Sequence, residues 1–337
     1  MKKFTAYLIF LLLILWVFSL DFDLNRSAPQ YGVSFSRFHA DELKLDWKET
    51  YLAMLDDLGV RNFRFSAHWP LTEPQENIFN FKELDFQFKE AEKRNASVIL
   101  AVGHRLPGWP ECHEPEWITT YNSNLKTQNQ EKFRNEKLLE YITAVVDRYK
   151  NYDNLKYWQV ENEPFLGFFG RSACGELNKE FLREEISLVK RLDPARPVMI
   201  TDSGEFGGWF RAYKEGDAFG TTMYLYVWNR TIGPLRYPVI PAFFRIKKNI
   251  ISLIYGEKPS IVIELSTEPW LLQPILDTPV DTQLERMGLE KFNEMINFSS
   301  KTGFDSFYLW GAEWWYWMKQ SGHPEFWERA RGLFHES

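Results

Sequence analysis

Cysteine is almost missing from this chain: there are two, Cys112 and Cys174, in 337 residues. That is too few for a disulfide scaffold, and the spacing is not that of a zinc site. They pair if the domain lies outside the cytoplasm; two separate buried thiols are the other reading. Histidine is also sparse, with six scattered copies, no His-Glu-x-x-His and no Cys/His cluster, so neither a metal nor a cofactor is expected. Lysine and arginine never gather into a stripe, and the formal charge is −6, which excludes nucleic acid as the expected partner. No Pro/Gly/Ser linker divides the chain, so residues 30–337 are expected to form one domain.

Long apolar runs are absent except at the start. Lys2 and Lys3 precede Phe4 to Leu20, 17 residues that are apolar apart from Thr5 and Ser19, and Asp21 and Asp23 close the run. A basic flank followed by an apolar run predicts a signal segment or a membrane anchor over 1–20, with 21–29 as a short linker. Seventeen residues is the lower limit for spanning a bilayer. No small-x-small cleavage site follows, which favours an uncleaved anchor with the lysines inside and the domain extracytoplasmic. A cleaved signal and a secreted domain is the alternative.

What the chain does have is a repeating theme of short apolar run, polar loop and amphipathic stretch. Eight candidate strands lie at 31–35, 62–66, 97–102, 155–160, 197–201, 219–224, 260–264 and 304–310. Helical patterns separate them. In the first, Asp46 is the expected N-cap, Glu49 its capping-box partner, Leu52, Leu55 and Leu58 the apolar face, and Gly59 the stop. Others end at Pro194 or fall at 238–255 and 283–301, with short ones near 208–215 and 324–332. Alternating strands and helices predict a parallel sheet. Eight units in about 300 residues fit a closed (β/α)8 barrel of the TIM type.

The active sites of such barrels sit where strands run into helices. Of 14 tryptophans, ten follow strand ends: Trp69, Trp109, Trp117, Trp209, Trp228, Trp270, Trp310, Trp314, Trp315 and Trp317. That concentration predicts a groove of flat apolar plates with N–H donors, suited to sugar rings. Carboxylates meet at the same rim. The fourth strand ends in Glu161 and Glu163 within "WQVENEP", and the seventh in Glu264, with Glu268 four residues on. The two strands lie on opposite sides of an eight-stranded mouth, so their carboxylates can converge. Glycoside hydrolysis needs such a pair, one protonating the leaving oxygen while the other attacks or directs water. A phosphate-binding metabolic barrel is disfavoured by the lack of a Gly-rich loop after the last two strands.

These residues resemble the clan A glycoside hydrolases, retaining (β/α)8 enzymes that include cellulases, mannanases, β-galactosidases and β-xylosidases. The resemblance runs from Tyr31 to Trp317. It implies Glu163 as general acid/base, Asn162 as donor to a sugar 2-hydroxyl, and Glu264, in "KPSIVIE", as nucleophile. Arg64 in "RNFRFSAHW" is implied as the partner of the nucleophile. His104, Tyr224 and Trp310 fall at substrate-binding positions of the clan. Two positions depart from it: Thr222 stands where a histidine often precedes the tyrosine, and "LSTEPW" follows the nucleophile. The expected function is retaining hydrolysis of a β-glycosidic bond in an extracytoplasmic oligo- or polysaccharide by double displacement. A transglycosylase using the same pair, and a tethered glycan-binding barrel without turnover, are the alternatives. Sugar, linkage, endo or exo action and oligomeric state are not encoded in any motif found.

Overall fold

The computed structural model describes residues 28–108, 111–122, 127–167 and 178–335, together with 13, 16–20 and 174. Most of the N-terminal segment, and Trp109, lie outside them. Among the described residues, no helix is long and apolar enough to cross a membrane.

Eight parallel strands close into a barrel. In chain order they are Gln30–Ser34 (β1), Asn62–Ser66 (β2), Ser97–Val102 (β3), Leu155–Val160 (β4), Val198–Asp202 (β5) and Ala218–Met223 (β6), then Ser260–Ser266 (β9) and Ser306–Trp310 (β10). Neighbours follow chain order around the ring, β10 returning to β1. The strands form because short β-prone runs such as "SVILAV" are buried on both faces, inside the barrel and under the helices. Ile99, Met199, Ala218, Ile263 and Tyr308 make a small core cluster of their own, while the large core packs strands against helices.

Two strands outside the barrel, Tyr226–Asn229 (β7) and Gly233–Arg236 (β8), pair as an antiparallel hairpin. The sequence reading missed it. Its turn is local: Asn229 Oδ1 accepts the N–H groups of Thr231 (2.8 Å) and Ile232 (3.2 Å), and Gly233 takes φ +80°.

The helices correct the sequence reading in detail. Asp46 caps the helix Trp47–Asp56 through the Lys48 and Glu49 N–H groups, as expected. The Glu49 carboxylate does not reach back to the cap; it accepts the Tyr316 hydroxyl at 2.6 Å. The single helix expected at 283–301 is two, Val280–Arg286 and Leu289–Ser299, with Gly288 as N-cap of the second. Cys112 and Cys174 form a disulfide, their Cα atoms 5.3 Å apart across a sequence separation of 62.

Candidate active site

Strand β4 delivers the central carboxylate by leaving the ladder abruptly. After Val160, Glu161 and Glu163 both adopt left-handed backbone, φ +59° and +44°. Non-glycine residues there are uncommon and costly, and they cluster at functional sites. The double twist sends the two side chains to different places. Glu161 turns to the β3 loop, where its oxygens accept the N–H groups of His104 and Arg105, each at 2.6 Å. Gly103 makes room: at φ +133°, a Cβ there would stand 2.5 Å from the Glu161 carboxylate. Glu163 turns toward β6 and β9.

Glu185, on the helix Lys179–Leu192, backs Glu161 from outside the barrel. It is buried, and among the described residues its oxygens accept from no donor. Burial, then the charge of Glu161, pushes its pKa well above the usual carboxylate range, which favours the protonated form beside Glu161. A folded-state pKa above the unfolded one contributes stability that is complete below the unfolded value and is lost as pH rises through the folded value. Glu185→Gln, which keeps a donor at every pH, is expected to flatten that alkaline loss. Thermal unfolding followed across pH checks it, and an undiminished loss in the variant would reject the pairing.

On the other side of the mouth, β9 ends in Glu264. The register beside it is irregular: Thr221 pairs with Val262 but Thr222 with Glu264, and Phe307 with Val262 but Leu309 with Leu265. Both neighbours thus place a bulge at Ile263–Glu264, a device that re-aims a side chain next to a site. Upstream, Lys258 anchors the strand's entry by donating to the carbonyls of Tyr213 and Gly216, at 2.5 and 2.6 Å.

Arg64 on β2 ties the two ends together. It is 1% exposed, and each arm of its guanidinium has its own acceptor. Nη1 donates to Glu264 Oε1 (2.5 Å), Nη2 to Asn162 Oδ1 (2.7 Å) and Nε to Gln159 Oε1 (2.8 Å). Asn162 Oδ1 also takes Gln159 Nε2 and Thr201 Oγ1, both at 3.4 Å, which turns its amide nitrogen elsewhere. The Tyr224 hydroxyl donates to the second oxygen of Glu264 at 2.8 Å. Glu264 therefore has a buried cation on one oxygen and a phenol on the other, a setting made for an anion.

Glu163 has the opposite setting. Its acceptor oxygen meets one neutral donor, the Thr222 hydroxyl, at 3.0 Å. Burial, then repulsion from Glu264 and Glu111, holds its pKa well above the usual carboxylate range, against the pull of Arg105. Arg105 Nε pairs with Glu111 (2.5 Å) while its Nη1 donates to the Glu163 carbonyl (3.0 Å). The two carboxyls thus sit in contrasting settings, one beside a neutral hydroxyl and the other on a buried cation. Thr222 is the connection: it is in register with Glu264 and bonded to Glu163.

Arg64, Asn162, Glu163, Tyr224 and Glu264 are thus brought together. His104 is not part of that hydrogen-bonded set. Its ring is buried with Nε2 2.8 Å from Glu114, which also faces Arg134. Trp310 donates to Glu268 at 2.7 Å, and the other oxygen of Glu268 meets His39 Nε2, also at 2.7 Å. Glu268 is therefore engaged apart from Arg64. Gln159, Arg105 and His39 went unseen as site residues in the sequence, since nothing in their local patterns marks them, while Thr222 was noted only as a departure from the clan's pattern.

The tryptophan rim needs correction. Trp69, Trp209, Trp314 and Trp315 are buried. Their N–H groups are taken by Glu73, the Ser203 carbonyl, Gln283 and the Thr267 carbonyl. Trp69, Trp314 and Trp315 lie on the helices Trp69–Thr72 and Ala312–Gln320, Trp209 caps Phe210–Glu215, and all four pack into the main core, so a position after a strand does not mean a position on the surface. Trp117, Trp228, Trp270 and Trp317 are the half-buried ones, and Trp310 is 9% exposed.

A family model for β-galactosidase, Glyco_hydro_42, matches residues 38–174. β-Galactosidase Pbg of Clostridium perfringens is 29% identical over 126 residues, 35% of this chain and 18% of that enzyme. β-Galactosidase BgaA of Clostridium cellulovorans is 23% identical over 189 residues, 52% of this chain and 28% of that enzyme. The matched stretches are thus less than a third of the length of these two curated relatives. Among solved structures, a β-galactosidase from Halorubrum lacusprofundi superposes with a TM-score of 0.56 at 14% identity, covering 83% of this chain and 52% of that one. An endo-β-1,4-xylanase from Gloeophyllum trabeum gives 0.53 at 15% identity, covering 85% of each chain. These matches make part of the chain similar to β-galactosidases, and the solved structures share its closed parallel barrel.

Proposed function

We propose that the chain is a retaining glycoside hydrolase acting on β-glycosidic bonds. The observation that carries this is the contrast between two buried carboxylates at one mouth, Glu264 on Arg64 and Tyr224, and Glu163 on the Thr222 hydroxyl. Glu264 attacks the anomeric carbon while Glu163 protonates the departing oxygen, and a glycosyl-enzyme ester forms. Glu163, now a carboxylate, takes a proton from water as the water attacks, and the sugar leaves with its configuration retained. Asn162, its oxygen held by Arg64, presents its amide nitrogen to the sugar 2-hydroxyl. Tyr224 and Trp310 complete the floor. His104 is read as holding the β3 loop.

The names of the relatives make β-galactosides the first substrates to try. The Cys112–Cys174 disulfide supports an extracytoplasmic domain, since such bonds persist in oxidising compartments. The basic-then-apolar run Lys2 to Leu20 supports tethering of that domain to the membrane by its N-terminal segment. The test is proton NMR of the first sugar released from aryl β-glycosides, galactosides foremost. A β-anomer appearing before mutarotation is expected. An α-anomer would reject double displacement, and no release from any sugar in the series would favour the binding-barrel alternative.

A further inference from the structure

The β7–β8 hairpin is an excursion that eight βα units do not require. It follows β6 directly and stands beside residues 286–291, and between them lies a cavity of about 220 Å³. Tyr226, Pro234, Arg236, Trp270, Arg286 and Lys291 are among the residues that line it. That volume is below the roughly 300 Å³ at which pockets for drug-sized ligands begin, so the occupant is a single ring or its substituent.

The lining combines flat rings with cations. The Arg286 guanidinium lies 4.6 Å from the centroid of Trp228, and Lys291 Nζ lies 5.1 Å from that of Tyr226. Lys291 is steered by backbone, donating to the Glu285 carbonyl at 2.6 Å. Two carboxylates answer the three cations. Glu294 pairs with Arg236 at 2.8 Å and accepts the Tyr226 hydroxyl; the exposed Glu285 pairs with Arg286 at 2.9 Å. The balance is positive, while the chain as a whole is negative.

The cavity adjoins the catalytic pair. The ring of Trp270 meets that of Tyr224 edge to face at 5.3 Å, and Tyr224 is hydrogen-bonded to Glu264. We infer that the cavity is a subsite for an acidic sugar, one carrying a carboxylate or a sulfate ester, beside the bond that is cleaved. Sugar C–H faces stack on the rings, and the anion takes charge-assisted hydrogen bonds from Arg286 and Lys291. This deepens the glycosidase reading and rests on it for the word subsite.

The experiment is calorimetric titration of the full chain with glucuronic acid, a sulfated glucose and glucose. An acidic sugar is expected to bind about tenfold or more tighter than glucose, the value of one hydrogen bond to a charged group. The preference should collapse in Lys291→Gln and in Arg286→Ala, and weaken as salt is added. Preference for glucuronic acid alone assigns a carboxylate, and preference for the sulfated sugar alone a sulfate ester. Equal binding of all three, or a preference untouched in both variants, overturns the subsite. The underlying reading fails separately: a preference lost in the variants, in a chain that hydrolyses no glycoside, keeps an anionic-sugar site and removes the enzyme.

Discussion

Glu264→Gln is expected to abolish turnover, by roughly 10⁴- to 10⁶-fold, the range seen when a member of a catalytic unit is removed. The change keeps the volume of the side chain and one acceptor oxygen. It takes away the charge that Arg64 faces at 2.5 Å and replaces the second acceptor, which Tyr224 uses at 2.8 Å, with a donor. The amide that replaces the carboxylate is too weak a nucleophile to form the glycosyl ester. A buried arginine left without its carboxylate also costs several kcal/mol of stability. Turnover must therefore be compared below the thermal midpoint of the variant, with a far-ultraviolet spectrum showing the barrel intact. Activity within tenfold of the parent chain would remove Glu264 from the mechanism. Glu268, held by His39 and Trp310, would then be the carboxylate to examine.

The second large effect concerns Glu163, and it has a signature in pH. Glu163 must be protonated to assist the leaving group. Burial and the charges of Glu264 and Glu111 raise its pKa, so kcat/KM is expected to hold through the ordinary carboxylate range and to fall as pH rises through that raised value. Glu163→Gln cannot release a proton. It should lower kcat/KM about 10²- to 10⁴-fold for a sugar leaving group, the usual worth of general acid catalysis. With a nitrophenyl leaving group, which departs without a proton, formation of the glycosyl-enzyme should be far less affected. Its hydrolysis should become the slow step, giving a burst of nitrophenol followed by a slow phase. The alkaline limb should vanish in the variant. A limb that survives unchanged would mean that another group supplies the proton.

These two carboxylates were legible in the sequence to different degrees. "WQVENEP" and "KPSIVIE" mark Glu163 and Glu264 because polar residues close apolar, β-prone runs there, where burial alone has no use for them. Arg64 stood out for the same reason, an arginine inside "NFRFS". The barrel itself was legible because eight strand runs alternate with helical periods, and local hydrophobic patterning decides that much. The hairpin β7–β8 was read past, although its Asn-x-x-x-Gly turn chemistry was present in the chain.

Strand periodicity alone does not separate Glu161 from Glu163; only the family resemblance singled out Glu163. Both follow the same strand at a spacing of two, and alternation would put them on one face. Left-handed backbone at each sends Glu161 to the N–H groups of His104 and Arg105 and Glu163 to Thr222. Those partners lie about 60 residues away along the chain in either direction, so no local pattern encodes the choice. The tryptophans teach the same lesson: following a strand end is a local property, but packing into the core between helices is not. By itself, then, the sequence determined the barrel, the rim and the residue types that gather there, because hydrophobic period and chain order are local quantities. Where Glu161 and Glu163 each point, which indoles pack and which cations stand beside the hairpin were decided by the tertiary structure alone. Each of those properties depends on charges and donors brought within a few ångströms by closure of the barrel.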